Sequence, residues 1–320
     1  MTDPAHLCRF AALDLGSLTV RLAVAERTPA GTLRVLLQRR EITGLGQGLA
    51  AADDLAPEAM ARTLEALKTF KQVMSAHNVA VYRAVGTQAL RQARNRQVFL
   101  DQLRNSLGLA VEVLAPEVEA RLSLTGVLTA LAPAVLTAPE ALVFDVGGGS
   151  TEFALVRPGQ EPVFASLPLG VLTLSQARPL GDPPRPSMVA GLREELAARL
   201  GSFYKGAIEP YVKGEFCLVG TAGAVTTLAA MHLELQAYDP NQVNNVILTR
   251  AQVAALAELM AGLPEAARAR LAGIEPAKAG VMVAGALIIL AILAVCRQDS
   301  LVVVDAGLLE GVLHDLSRKF

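Results

Sequence analysis

Apolar and polar residues alternate from Leu18 to Val24, with Leu18, Val20, Leu22 and Val24 on one parity and Thr19, Arg21 and Ala23 on the other. A period of two is the mark of a strand whose two faces meet different surroundings. With the apolar run before it, Arg9–Ala25 reads as strand, tight turn, strand. Leu33–Ile42 is a weaker strand candidate, and Gly44-Leu45-Gly46-Gln47-Gly48 reads as a flexible loop. The spacing becomes helical over Pro57–Met74, where Met60, Leu64, Leu67 and Val73 are apolar. Val79–Val85 predicts a strand ending near Gly86, followed by a basic helix from about Ala89 to Leu107 and a strand at Leu109–Leu114. Pro116 is placed to open a helix over Glu117–Leu131, because the first turn does not need its N–H. Ala132–Pro139, with prolines near both ends, reads as a connector.

The second half repeats the alternation of strands and helices. Leu142–Val156 (LVFDVGGGSTEFALV) is again strand, turn, strand. Arg178–Pro186 holds four prolines and a glycine and predicts a loop; Ser187–Ile208 predicts a helix and Glu215–Val219 a strand. A small-residue turn at Gly220–Gly223 opens a helix from Ala224 to Leu235. Helices over Thr249–Gly262 and Glu265–Leu271, a strand at Leu301 and a last helix over Leu308–Ser317 complete the pattern. Interleaved strands and helices define an α/β class. Ala279–Cys296 carries no charge over 18 residues, at the lower edge of a membrane span. It lies between Lys278 and Arg297 with no aromatic belt, and a strand follows at once, so the expected role is a central core helix.

Composition narrows the class. The 320 residues suit two domains, and the core is aliphatic: the chain is 52% hydrophobic, 4% aromatic and has no Trp. A net charge of −1 argues against a dedicated duplex-DNA binder with a globally basic face. Cys8, Cys217 and Cys296 are odd in number and widely spaced, which fits neither a disulfide framework nor a zinc site and points to a reducing cytoplasm. The N-terminus has no basic and apolar signal pattern. His6, His77, His232 and His314 fall in no motif, and no Walker sequence occurs.

The candidate chemistry lies in a duplication. ALDLGSLTVRLAV at Ala12–Val24 and FDVGGGSTEFALV at Phe144–Val156 share a strand, an aspartate, glycine, Ser or Thr, and a second strand; VVDAG with Asp305 and Gly307 is a fainter echo. Glycines let backbone N–H groups approach an anion, and a carboxylate beside them suits a hard cation such as Mg²⁺. The economical reading is two similar domains facing a cleft, each contributing one phosphate-binding hairpin. The candidate cradle is Asp14, Gly16, Ser17 and Arg21 from the first turn and Gly147, Gly148, Gly149, Ser150 and Thr151 from the second. Gly220, Thr221 and Gly223 add a third turn at a helix N-terminus. Asp14, Asp145 and Glu152 are the candidate metal ligands.

These motifs resemble the exopolyphosphatase/guanosine pentaphosphate phosphohydrolase family, within the actin, sugar-kinase and chaperone-ATPase superfamily. The matching stretches include DLGS at Asp14–Ser17, TQALRQARNRQVFL at Thr87–Leu100, EVEARLSLTGV at Glu117–Val127 and FDVGGGSTE at Phe144–Glu152. SLPLGVLTL at Ser166–Leu174, VGTAGAVTTLAA at Val219–Ala230, AGALIIL at Ala284–Leu290 and DAGLLEG at Asp305–Gly311 follow in family order. The resemblance implies two actin-like (ribonuclease H-like) domains, residues 1–124 with 307–320 and residues 125–306. It also implies hydrolysis of terminal phosphate from inorganic polyphosphate, with guanosine pentaphosphate and tetraphosphate as further ligands, Mg²⁺ as cofactor and a homodimer in the cytoplasm, without nucleic-acid or membrane partners. It makes Glu119 the base that orients water, with Asp145, Glu152 and Arg91 as the other catalytic candidates. The chain departs from the family pattern at Leu18, Gly280 and Leu309, where Asn, Asp and Arg are usual. A phosphotransferase of the same superfamily and a non-catalytic guanosine tetraphosphate or polyphosphate sensor are the alternative readings.

Overall fold

The computed structural model describes residues 8–28, 32–132 and 140–319. Most of the expected connector at Ala132–Pro139, and the N-terminal stretch that includes His6, lie outside them. The chain divides into two compact units, Met1–Gly126 with Leu308–Phe320, and Val127–Gly307.

In chain order, the first part runs β1 (Arg9–Leu15), β2 (Thr19–Arg27), β3 (Leu33–Ile42), α1 (Leu49–Ala52), α2 (Pro57–Ala76), β4 (Val81–Gly86), α3 (Gln88–Gln92), α4 (Arg96–Leu107), β5 (Val111–Val113) and α5 (Pro116–Ala130). It continues through β6 (Glu140–Val146), β7 (Thr151–Val156), β8 (Val163–Leu167), α6 (Val171–Ala177), α7 (Pro186–Ala207), β9 (Phe216–Thr221), α8 (Ala222–His232), α9 (Pro240–Val243) and β10 (Ile247–Thr249). The last elements are α10 (Arg250–Ala261), α11 (Glu265–Arg268), α12 (Met282–Val295), β11 (Ser300–Val303) and α13 (Leu308–Ser317).

Among the described residues the first sheet has the order β3-β2-β1-β4-β5 and the second β10-β11-β9-β6-β7-β8. In each, three consecutive strands pair antiparallel and the first of them pairs parallel with a later strand. Setting aside β10, the second sheet repeats the topology of the first, so the sequence echo is a repeat of architecture. Both are mixed sheets with helices, the α/β class that the periodicity predicts.

The period-two pattern sorts β1 between two cores. Ala11, Leu13 and Leu15 join a cluster with Leu67 and Phe70 of α2 and Phe99 of α4. Phe10 and Ala12 join another with Leu122 of α5 and Leu308, Leu309 and Val312 of α13. Asp14 shares the parity of Phe10 and Ala12, so it lies on the α5–α13 face. The last helix thus covers the first sheet, and it packs tightly on α5: a Cβ on Gly311 would lie 1.8 Å from the carbonyl oxygen of Leu122.

Several expectations are corrected. The basic helix predicted over Ala89–Leu107 is two helices, because Ala93 is extended and Asn95 exchanges two hydrogen bonds with the backbone of Leu55, at 2.8 and 3.0 Å. Gly44–Gly48 is not a loose loop: Leu45 is fully buried and Gly46 packs on Ser17. Gly220 and Thr221 belong to strand β9 rather than to a turn. β8 and α6 occupy a stretch for which the periodicity predicts no element. The uncharged run at Ala279–Cys296 forms α12, 14 residues and about 21 Å long. It is buried nearly all round against α6, α7, α8 and α10. No helix among the described residues is long and apolar enough to cross a membrane.

One ion pair ties the exposed strand β3 to the sheet. Glu26, buried on β2, meets Arg34 of β3 in a very short contact and Arg9 of β1 at 3.5 Å. The hydrogen bond from Arg34 holds the Glu26 carboxyl below the ordinary glutamate value, against the opposing effect of burial. A carboxyl lowered on folding stabilises above its unfolded pKa, and the contribution vanishes as pH falls through the lower folded value. Thermal melts of wild type and Glu26→Gln should therefore differ at neutral pH and converge as pH falls below about 4. A difference in melting temperature that stays constant across that range would show that the charge of Glu26 is not what stabilises the edge.

Candidate active site

The two aspartate hairpins are built alike. Leu15 faces Val20 and Val146 faces Thr151, so each turn spans four residues. Each closes by the same bond, Gly16 N–H to Thr19 O at 3.0 Å and Gly147 N–H to Ser150 O at 2.9 Å. A Cβ at Gly16 would stand 2.9 Å from that acceptor, and one at Gly147 3.2 Å from its own, which is why glycine begins both turns. Their N–H groups are engaged in closure, so Gly16 and Gly147 shape the cradle rather than line it. The register pairs Thr19, not Ser17, with Ser150.

A second segment grips each turn from behind. In the second unit, Val171 N–H donates to Gly147 O at 3.0 Å and Leu172 N–H to Gly148 O at 2.9 Å. Gly170 lies so close that a Cβ would be 2.4 Å from the Gly148–Gly149 peptide. Thr151 is fully buried and its hydroxyl donates to Leu169 O at 2.6 Å, which anchors the gripping segment instead of facing a ligand. In the first unit, Gly46 N–H donates to Ser17 O at 2.8 Å, and Thr43 and Gly44 N–H to Leu18 O at 3.1 and 2.9 Å. A trans peptide points its C=O and N–H in opposite directions. Carbonyls gripped on one side therefore turn the N–H groups of Leu18 and Thr19, and of Gly148 and Gly149, to the other. Adjacent N–H groups turned to one side are what an anion nest requires.

The registers place a row of side chains beside each turn. In the first sheet Asp14 faces Arg21, and Arg21 faces Arg40 on β3. In the second, Asp145 faces Glu152 on one side and Thr221 on the other, and Glu152 faces Ser166. Directly opposed residues project from the same face. Ser166 donates to Glu152 at 3.0 Å. The rows differ in charge, one aspartate with two arginines against two carboxylates with two hydroxyls. Arg40 and Ser166 appear in no prediction from sequence, because only strand pairing brings them to the row.

Glu117 and Glu119 both begin α5, yet Glu117 is exposed and Glu119 is buried. Arg91 of α3 reaches Glu119 in a very short contact and also donates to Leu114 O at 2.9 Å and Gln88 at 3.0 Å. Arg91 therefore holds Glu119 in place instead of standing ready for a polyanion. Arg94 pairs with Asp54 at 3.0 Å, and Arg96 donates to the carbonyl of Arg91 at 2.8 Å.

The third turn has other duties. A Cβ on Gly220 would lie 2.7 Å from the Phe144 ring, so its glycine is needed for packing. The Thr221 hydroxyl donates to Ala306 O at 2.6 Å. Gly223 remains at the first turn of α8, partly exposed, where N–H groups favour an anion. Of the departures from the family pattern, Leu309 is buried in the α13 core. Gly280 has the Glu265 carboxylate 3.1 and 3.2 Å from where its Cβ would be, so an acid there would face a like charge. Among the described residues no group of three or more His, Cys, Asp or Glu side chains could hold a metal ion. The opposed pair Asp145 and Glu152 nevertheless fits Mg²⁺, which takes one or two carboxylates together with substrate phosphates rather than a protein cage.

The repeated mixed sheets, each with a gripped aspartate turn, define a duplicated α/β architecture. The chain belongs to the Ppx/GppA phosphatase family, whose model matches residues 23–320. It is 31% identical over 325 residues to exopolyphosphatase 2 of Mycobacterium tuberculosis, covering 97% of this chain and 99% of that protein. The crystal structure of the Aquifex aeolicus Ppx/GppA family member superposes with a TM-score of 0.80 at 33% identity, over 98% of each chain. That of an exopolyphosphatase from Cytophaga hutchinsonii does so with 0.88 at 25% identity, over 97% of this chain and 98% of its own. The protein is a phosphoanhydride hydrolase.

Gly170→Ala tests the grip on the second turn. The added methyl must push the Gly148–Gly149 peptide aside, and kcat/KM for phosphate release from polyphosphate should fall about a hundredfold while far-UV circular dichroism stays native. Unchanged kcat/KM would show that the position of this turn does not matter to the reaction.

Proposed function

We propose that the protein is an exopolyphosphatase, releasing the terminal phosphate of inorganic polyphosphate, and that guanosine pentaphosphate, with the same kind of phosphoanhydride, is a second substrate. The observation that carries the reading is the buried Glu119 held by Arg91 in a chain with two gripped aspartate turns. A nest alone would serve a kinase or a sensor equally well; a positioned carboxylate is what hydrolysis needs.

In this reading the N–H groups of Leu18, Thr19, Gly148 and Gly149 hold phosphate oxygens, with Arg21 beside the first turn neutralising charge. Glu119 aligns a water behind the terminal phosphorus and takes its proton on a carboxylate oxygen as the oxygen–phosphorus bond forms. The bridging P–O bond breaks and its electrons leave with the shortened chain, releasing orthophosphate. Arg91 keeps the Glu119 carboxylate from turning away. Asp145 and Glu152 would hold Mg²⁺; the ion would supply charge neutralisation on the phosphates. Three free cysteines support a cytoplasmic setting.

Glu119→Gln keeps an acceptor for Arg91 but cannot take a proton. It should lower kcat for phosphate release by about 10²- to 10⁴-fold and leave KM for long-chain polyphosphate nearly unchanged. Wild-type kcat in that variant would remove Glu119 from the mechanism. Asp14→Ala and Asp145→Ala should each abolish release while melting cooperatively, and full activity in either would detach its turn from the reaction. In the wild type, polyphosphate binding without release would favour the sensor. Nucleotide-dependent transfer to an acceptor, without free phosphate, would favour the phosphotransferase.

A further inference from the structure

The two turns are gripped by segments of different build. In the second unit the grip comes from the start of α6, whose Val171, Leu172 and Leu174 are buried, so the segment is fixed by its own packing. In the first unit it comes from irregular chain between β3 and α1, where Leu45 is buried in the core but no helix forms across the segment. Gly44 in that segment has a φ of 60°, and Gly48 one of 78°. Leu45 fixes the middle of this stretch by burial, and a second anchor at its ends sets the direction in which Thr43, Gly44 and Gly46 meet the carbonyls of Ser17 and Leu18.

Arg62 is that anchor. From α2 its Nε donates to Thr43 O at 2.9 Å and its Nη2 to Gln47 Oε1 at 2.9 Å, so one planar guanidinium spans the segment. Gln47 N–H in turn donates to Gly44 O at 2.8 Å, tightening the same loop. Further on, Asn95 pins Leu55, but that contact lies beyond α1 and away from the turn.

We infer that Arg62 is a positioning residue for the phosphate cradle of the first turn, acting through the Thr43–Gln47 segment without touching substrate. The inference rests on the proposed phosphate-holding role of that turn. An unanchored segment lets the Ser17–Leu18 and Leu18–Thr19 peptides rotate, so the N–H groups of Leu18 and Thr19 lose their common direction. The loss falls on phosphate binding in the ground state and transition state alike, so it appears in KM.

The experiment is steady-state release of phosphate from inorganic polyphosphate of defined chain length, with thermal melts of the same preparations. Arg62→Ala should raise KM about tenfold with kcat within about twofold of wild type. Arg62→Lys, whose ammonium can serve one of the two acceptors, should recover part of that rise, and Gln47→Ala, which leaves the Thr43 bond, should raise KM less. Unchanged KM in Arg62→Ala would overturn the inference, as would a lowered melting temperature with kcat and KM falling together. Asp14→Ala, run alongside, separates the two levels of the argument. If it retains activity, the reading of the first turn fails; if it is inactive while Arg62→Ala keeps its KM, only the role of Arg62 fails.

Discussion

The planarity of the peptide group is the constraint on which the site depends. A backbone turn can present N–H groups to an anion only if its carbonyls are held elsewhere, because each peptide rotates as a unit. In this protein both aspartate turns meet that requirement by being gripped from behind, one by the Thr43–Gly46 segment and one by Gly170–Leu172. The glycines follow from the same constraint. Gly16 and Gly147 make room for the closing bond, and Gly170 makes room for one backbone to lie on another.

Duplication gives two turns of one geometry, and the strand register then makes them chemically different. The position facing the aspartate is Arg21 in the first sheet and Glu152 in the second. With Arg40 beyond Arg21 the first row carries a net positive charge, while the opposed carboxylates give the second a negative one. The two copies of the hairpin therefore carry rows of opposite charge, a difference that a single copy could not provide.

Much of this was legible in the chain itself. The alternation over Leu18–Val24, the helical spacing over Pro57–Met74 and the repeated aspartate–glycine pattern correspond to β2, α2 and the two hairpins. The buried α12 was legible as well, since a run without charge between Lys278 and Arg297 has few places to go but a core. What misled was composition without partners. Gly44–Gly48 has the residues of a loose loop, but Leu45 needs burial and the Arg62 bonds hold its neighbours. Arg91 has the look of a phosphate ligand until Glu119 is seen beside it. Gly220 and Thr221 resembled a third cradle, although Phe144 and Ala306 claim them.

By itself the sequence determined the class of fold and the family, because periodicity and motif order are properties of residues near one another in the chain. Only the tertiary structure decided which N–H groups face outward, that Glu119 rather than Glu117 is the buried acid, and that Arg40 and Ser166 extend the two rows. Those facts depend on contacts between residues far apart in the chain, Arg91 with Glu119 or Gly170 with Gly148, and local spacing carries no record of them.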